Sequence, residues 1–522
     1  MLSYFDRDLG NDNLPATRFA VKKPVVINDC IQAIQPCIHV NHPMDIVPIS
    51  DCGPPNSGVS LGDGSHTKSA IGYKVEGDTA LRAENFTKAT RHYAAGLEVV
   101  NDDNLTLRAE LLRQRACAHL KLGRYDEAME DALHSLSDGE DVQSRLSDGD
   151  AYCSAGSAAY HTRDFVNAKA LFEKALDRKP DDIEILEQLR LVSVRLAEQC
   201  QCVYDFEAMA SSASVDTPRV DVASCTFKTE VKASPGRARG LYATQAIDLG
   251  EVILVEKALC AIFEDETDAF HAVGSVLDTS IPNLHTVLDM STALWKQVVQ
   301  AATRNQSQAD RLANLRHSYS AANLPTHDAD GRNTLDIYRL HSVVIDNAFF
   351  CEHAVDWGFH RFGSDSIGLW AHASHINHAC FGNGHSRFYG DILVLRASRP
   401  IAKGEEILTS YRHHSPTVAF EKQQKELELG CNSRYDCPLC HVEGRESDRL
   451  RWKRTSLQKE ASQFVGTFAA ETARLAMLRP RSVVTEVETL LCQIKKTYDS
   501  KVYRDLPRPV SCALSTNAIS CR

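Results

Sequence analysis

One stretch constrains this chain more than any other, because a polar cluster, two strands and a terminal aromatic are compressed into Ser374–Tyr411, read as SHINHACFGNGHSRFYGDILVLRASRPIAKGEEILTSY. Asn377-His378-Ala379-Cys380 follows a run of small residues and histidines. Asp391–Leu395 is a short, nearly continuous apolar run of the kind that forms a buried strand. A turn is expected at Pro400–Gly404, and Glu405–Leu408 then reads as a second strand ending on Ser410-Tyr411.

Composition bounds the rest. At 522 residues and 43% hydrophobic content, the chain has room for more than one core. The formal net charge of −11 offers no global basic surface, so no direct nucleic-acid partner is expected. An acidic surface permits basic peptides without requiring them. The 17 cysteines, with no secretory pattern at Met1–Asp6, point to a reducing compartment where most are free thiols or metal ligands. No apolar run approaches the roughly 18 to 20 residues that cross a bilayer, so no membrane span is expected. No Lys/Arg-rich import run stands out, and the expected location is nuclear, cytoplasmic or both.

Residues 1–68 mix Pro, Gly, Asn, Asp and Ser without periodicity and are expected to be disordered, with Cys30, Cys37 and Cys52 as isolated thiols. Over residues 69–200 the pattern turns helical and repeats. Phe86, Ala89 and Tyr93 recur as Tyr125, Ala128 and Ala132, then as Phe165, Ala168 and Phe172. Small residues precede the later sets at Ala116, Ala118, Gly123, Gly156 and Ala159. This resembles tetratricopeptide (TPR) repeats, helix pairs in which small residues accept an aromatic knob, with the usual spacing of about 34 residues stretched by acidic loops. The resemblance implies a peptide partner in the groove of the array. Approximate alignment puts Asp78 and Gln114 where clamp asparagines stand in chaperone-binding arrays, and Asp150 and Ser154 where basic residues stand. Acidic groups repel a carboxylate, so chaperone tails are disfavoured, and the alternative is a packing platform for the downstream domain.

After a Ser/Ala-rich linker over about 200–224, Gly236-Arg237-Ala238-Arg239-Gly240-Leu241-Tyr242-Ala243 leads into Gly250–Glu256. Together with Ser374–Tyr411, this resembles the SET domain of protein-lysine methyltransferases, whose pattern runs G-x-G-L-x-A, a G-E-x-I strand, N-H-S-C-x-P-N, a G-E-E-I turn and a closing S-Y. Ala238 stands at the first glycine of that pattern, which predicts strain if positive φ is needed there. Gly382 stands at its proline, which predicts a looser loop. Residues 262–345 form an insertion with helical stretches at Thr292–Ala302 and Thr334–Asn347, followed by an N-x-F-like Asn347-Ala348-Phe349. The SMYD subgroup carries a zinc-binding MYND module near this point, and the lack of a Cys/His cluster predicts that it is missing here.

The fold class expected is therefore α+β multidomain: a helical TPR array (69–200), a β-rich SET domain (224–412) with a helical insertion, a post-SET zinc knuckle (413–445) and a C-terminal helical region (446–522). The resemblance implies transfer of a methyl group from S-adenosyl-L-methionine to a lysine amine of a histone tail or another protein. Tyr411 would be catalytic, and Arg239, Gly240, Tyr242, Asn377 and His378 would bind the cofactor. Cys437-x-x-Cys440 is a metal knuckle that Cys380 and Cys431 would complete around zinc, with Tyr435 at a position that is cysteine in relatives and His441 as another candidate. Glu405 and Glu406 read as strand-start residues with a structural role. A different class stays open: a catalytically inactive SET/TPR scaffold that binds protein partners.

Overall fold

Side-chain oxygens start most of the helices in the repeat region. Ser69, Asn85, Asn104, Asp141, Asp164 and Asp182 each accept a first-turn backbone N–H, opening helices Ala70–Arg82, Phe86–Val99, Leu105–Lys121, Val142–His161, Phe165–Arg178 and Ile183–Gln201. Consecutive helices pack through small-to-large contacts. A Cβ on Gly77 would lie 2.4 Å from the Tyr93 ring, and one on Gly156 would lie 2.9 Å from the Phe172 ring. Tyr93 and Phe172 are fully buried, so these glycines are the sockets that the repeat pattern implies. Gly156 is legible as a socket in the sequence, whereas Gly77 is not. Tyr93 Oη also donates to Asp78 Oδ1 at 2.8 Å, and burial, then Asp78, push its phenol far above the usual range.

These descriptions come from a computed structural model, which describes residues 68–137, 139–213, 218–263, 289–319, 336–351, 366–411, 425, 437–457, 459–460, 489–503 and 506. Within the first 67 residues it describes backbone only, as two antiparallel pairings: Phe19–Val21 with Ile46–Pro48, and Ile27–Asn28 with Cys37–Ile38. Among the described residues no helix is long and apolar enough to cross a membrane. The chain divides into two units. One holds the repeats together with 257–371 and 389–392, and the other holds 226–256, 372–388 and the residues from 393 onward.

In the first unit the insertion is helical as expected, over Asp289–Arg304, Gln306–Ala313 and Ile337–Asn347. These helices share a core of Leu294, Val298, Leu312, Val343 and Val344 with Ile367 and Leu369 of a three-stranded antiparallel sheet. Two helix N-termini that lack a cap of their own cap each other. Arg124 opens helix Tyr125–His134 and Asn305 opens helix Gln306–Ala313, each without a side-chain bond to its own first turn. Instead Asn305 Oδ1 accepts from Tyr125 N at 2.7 Å and Asp126 N at 3.3 Å, while Asn305 Nδ2 donates to Gly123 O at 2.9 Å. Asp126 returns the favour in kind, accepting from Ser307 N at 2.8 Å and Ser307 Oγ at 2.9 Å. Arg163 adds two donations, to the carbonyls of Lys257 at 3.0 Å and Ala258 at 2.7 Å. The repeats are thus a packing platform for the insertion.

One cysteine pair departs from the free-thiol expectation: Cys202 and Cys225 form a disulfide with Cα atoms 5.6 Å apart. The others described, from Cys117 to Cys492, are free.

The second unit is the β-rich part. One sheet has the order Asn377–His378, Glu406–Thr409, Arg237–Ala243, Thr229–Ser234; another runs Gly384–Tyr389, Ile392–Ala397, Val252–Lys257. Ile392–Leu395 is buried throughout, as its apolar run requires. Gly404 takes a φ of +80° in the turn expected there. Cys437, Cys440, Leu439, Ile494, Tyr498 and Tyr503 form a compact cluster with Ala379 and Cys380.

The reciprocal caps make a direct prediction. Asn305→Ala strands two helix N–H groups and the Gly123 carbonyl, each bond being worth about 1 kcal/mol. The thermal unfolding midpoint is expected to fall, with Asn305→Asp, which keeps the acceptor, falling less; equal midpoints for all three proteins would contradict the capping role.

Candidate functional site

Strand pairing brings the two motif segments together. Asn377 and His378 pair in parallel with Leu408 and Thr409, and Glu406 and Ile407 pair antiparallel with Tyr242 and Leu241. A single strand, Glu406–Thr409, therefore lies between segments more than a hundred residues apart in sequence. Glu406 is the hub. Its Oε1 accepts from Asn377 Nδ2 at 2.7 Å and from Ser234 Oγ at 2.9 Å, and Asn377 Nδ2 also donates to Arg239 O at 2.8 Å. A Cβ on Gly240 would fall 2.3 Å from Glu406 Oε1 and 2.9 Å from Asn377 Nδ2. Glycine is required there by close approach. Tyr242 stands opposite Glu406 in register, with its hydroxyl 3.5 Å from the Ala233 carbonyl.

Both departures from the family pattern have local explanations. Ala238 is not among the positive-φ residues, because Gly236 carries the turn at φ +74°, so the strain expected at Ala238 does not arise. At Gly382 a Cβ would meet Leu408 O at 2.0 Å, and the adjoining Asn383, 1% exposed, is bound on every side. Asn383 Nδ2 donates to Glu405 Oε1 at 3.1 Å and Glu406 O at 2.9 Å, and its Oδ1 accepts from Leu408 N at 2.8 Å. The loop is knotted to the strand, which corrects the expectation of looseness. Glu405 and Glu406 are structural as expected, but Glu406 also holds Asn377.

Tyr411 closes the strand beside His378. Its N–H donates to His378 Nδ1 at 3.0 Å, its hydroxyl donates to Ile376 O at 2.6 Å, and the two rings meet edge to face with centroids 5.2 Å apart. Tyr411 is 40% exposed, whereas His378 is 4% exposed. His372 and His375 precede them. His372 Nε2 lies 2.7 Å from Thr229 Oγ1, and the backbone N–H groups of His372 and Ala373 donate to the buried Glu256 carboxylate at 2.9 and 2.8 Å. Burial, then the neighbouring His375, push His372 down to about 4; burial, then Arg239, also lower His375.

Three thiols converge on the far side of His378. The Sγ atoms of Cys380, Cys437 and Cys440 all lie within 4.8 Å of one another, and Cys380 Sγ is 3.2 Å from Cys440 Sγ. All three residues are buried. Hydrogen bonds from Cys380 and Cys440 hold the Cys437 thiol well below its usual range, while bonding to Cys437 and Cys440 and burial push Cys380 up. Three buried sulfurs converging on one point are a donor set that a divalent cation such as zinc takes in place of the thiol protons. Cys431 and Tyr435 lie outside the described residues, and His441 is exposed. Among the described residues this trio is the one group that could hold a metal.

Comparison with known proteins agrees with this geometry. A SET-domain model matches residues 238–412, and a tetratricopeptide-repeat model matches residues 149–182. The chain thus joins a SET domain to tetratricopeptide repeats in a multidomain α+β protein. More narrowly, it is SMYD-like. It is 24% identical over 484 residues to a Gibberella zeae protein named Methyltransferase, a match that spans 88% of this chain and 62% of that one. It is 32% identical over 89 residues to the Mus musculus protein-lysine N-methyltransferase SMYD4, covering 17% of this chain and 11% of the relative. It is also 30% identical over 137 residues to the Arabidopsis thaliana Hsp70-Hsp90 organizing protein 3, covering 25% of this chain and 24% of the relative.

The buried histidine sets a pH dependence. His372 titrates near 4 when folded and near 6.5 when unfolded, so falling pH protonates the unfolded chain first. Its contribution to stability is complete above about pH 6.5 and lost as pH falls towards 4. His372→Gln is expected to flatten the unfolding midpoint against pH in that window, and an unchanged slope would contradict the assignment.

Proposed function

We propose that this chain is an S-adenosylmethionine-dependent protein-lysine N-methyltransferase acting on histone or other protein lysines. The observation that supports it most is the single strand Glu406–Thr409 that joins Arg239-Gly240 to Asn377-His378 inside the region matched by the SET-domain model. S-adenosylmethionine, when bound, supplies a methyl group on a positively charged sulfur. The chain's own work is to hold, align and exclude water. Arg239, Gly240 and Tyr242 on one strand, with Asn377 and His378 on the other, would line the cofactor. Gly240 lets Glu406 and Asn377 pack close against its strand, which fixes how these two segments stand to each other.

The substrate amine must lose its proton, since free lysine titrates near 10.4. A narrow apolar channel favours the neutral amine and holds it in line with the methyl carbon. Tyr411 would orient that amine. Its hydroxyl donates to Ile376 O at 2.6 Å, which fixes where the phenol oxygen stands.

Cys380, Cys437 and Cys440 would hold zinc, with Cys431 as the proposed fourth ligand; tetrahedral thiolate coordination suits a structural site. The zinc would tie the Asn377 loop to the segment after Tyr411, so metal binding and folding of the site would be coupled. For the repeats, the organizing-protein relative supports a peptide partner in the groove. Asp78 is paired with Lys74 at 3.2 Å and Asp150 with Lys179, so each acidic position has a basic neighbour of its own.

Two experiments test this reading. Calorimetry with S-adenosylmethionine is expected to show binding by wild type and by Tyr411→Phe, while transfer of labelled methyl to a protein or peptide array falls about a hundredfold in the variant. No binding would leave a scaffold, and unchanged turnover in the variant would reject Tyr411. Metal analysis is expected to find zinc bound in wild type and lost in Cys437→Ser; an active zinc-free protein would rule out the structural role.

A further inference from the structure

His378 has two ring nitrogens with two different partners. Tyr411 N–H donates to Nδ1 at 3.0 Å, which makes Nδ1 the acceptor and places the proton of the neutral ring on Nε2. Nε2 lies 3.4 Å from Cys380 Sγ, within reach of an N–H to sulfur bond. The backbone of the residue is held as well: Arg237 Nη2 donates to the His378 carbonyl at 3.1 Å, and the strand pairing places His378 opposite Thr409. With 4% exposure, the ring cannot turn to water for either bond.

We propose that His378 is a positioning residue that couples the Cys380–Cys437–Cys440 cluster to the placement of Tyr411. This rests on the readings of the cluster as a metal site and of Tyr411 as the residue at the reacting amine. The coupling follows from what sulfur can accept. A metal-bound sulfur carries negative charge and takes a hydrogen bond from Nε2–H more strongly than a protonated thiol does. Loading the cluster therefore fixes the ring, and the ring fixes the Tyr411 amide through Nδ1. The edge-to-face contact, with centroids 5.2 Å apart, carries the same restraint to the phenol. Emptying the cluster removes the ion that holds Cys380 Sγ in place, and the anchor on the ring weakens. A ring that merely filled the core would transmit none of this.

The two faces of the imidazole can be removed separately. In His378→Asn the amide oxygen stands near Nδ1 and keeps the acceptor for Tyr411 N–H, but nothing reaches the sulfur. In His378→Gln the amide nitrogen stands near Nε2 and keeps the donor to sulfur, but the acceptor is lost. With 3-fluorotyrosine at position 411 of the full chain, the fluorine resonance of wild type is expected to shift when zinc is stripped by a chelator and to return when zinc is restored. His378→Asn should bind zinc about ten- to a hundredfold more weakly by chelator competition. His378→Gln should bind zinc nearly as wild type does. In both variants the resonance at 411 should no longer follow zinc. A wild-type resonance that ignores zinc, a variant resonance that still follows it, or wild-type zinc affinity in His378→Asn would each overturn the proposal. Because these readouts need neither cofactor nor turnover, a wild-type chain that shows the zinc response but binds no S-adenosylmethionine would sink the methyltransferase reading alone.

Discussion

The Glu406 carboxylate is where this structure is tied together. Its Oε1 takes hydrogen bonds from Asn377 Nδ2 and Ser234 Oγ, and it occupies the space that any side chain at position 240 would need. Bonds to a charged acceptor are worth about 1.5–3 kcal/mol each, more than neutral ones. That matters because the pairing at stake is small: Asn377–His378 contributes two residues to its sheet. So short a strand cannot hold its register on backbone bonds alone. The side-chain knot around Glu406, and the second one around Asn383, fix which residue faces which. From that register follow the positions of His378, of Tyr411 after it, and of Cys380 two residues on.

The first unit has its own solution to a similar problem. Helices Tyr125–His134 and Gln306–Ala313 each begin on a residue that does not cap its own first turn, and each is completed by a side chain of the other. Neither N-terminus is satisfied without its partner. The repeats and the inserted helices thereby belong to one compact unit, although they are separated in sequence by the first strands of the SET region.

Much of this was legible in the sequence, and what was not shares a cause. The repeats, the inserted helices, the apolar strand Ile392–Ala397 and the Cys437–Cys440 knuckle all follow from local periodicity or spacing, and the structure contains each of them. The grouping of Cys380 with that knuckle came through family resemblance rather than through spacing, because the residues lie 60 positions apart. Gly77, the Asn305 and Asp126 caps, the Cys202–Cys225 disulfide and the role of Glu406 leave no local pattern, since each depends on a neighbour supplied by a distant part of the fold. Gly382 is the instructive case. Read alone it suggests a slack loop; beside Leu408 O, at 2.0 Å from where a Cβ would stand, it is the residue that lets the loop lie tight against the strand.

Hydrogen–deuterium exchange on the full chain, with and without S-adenosylmethionine, reads whether the two motif segments respond as one site. If residues 237–243 and 374–380 form two walls of one site, ligand should slow exchange in both segments together and over the same concentration range. Slowing in one segment without the other, or in neither at saturating ligand, would contradict it.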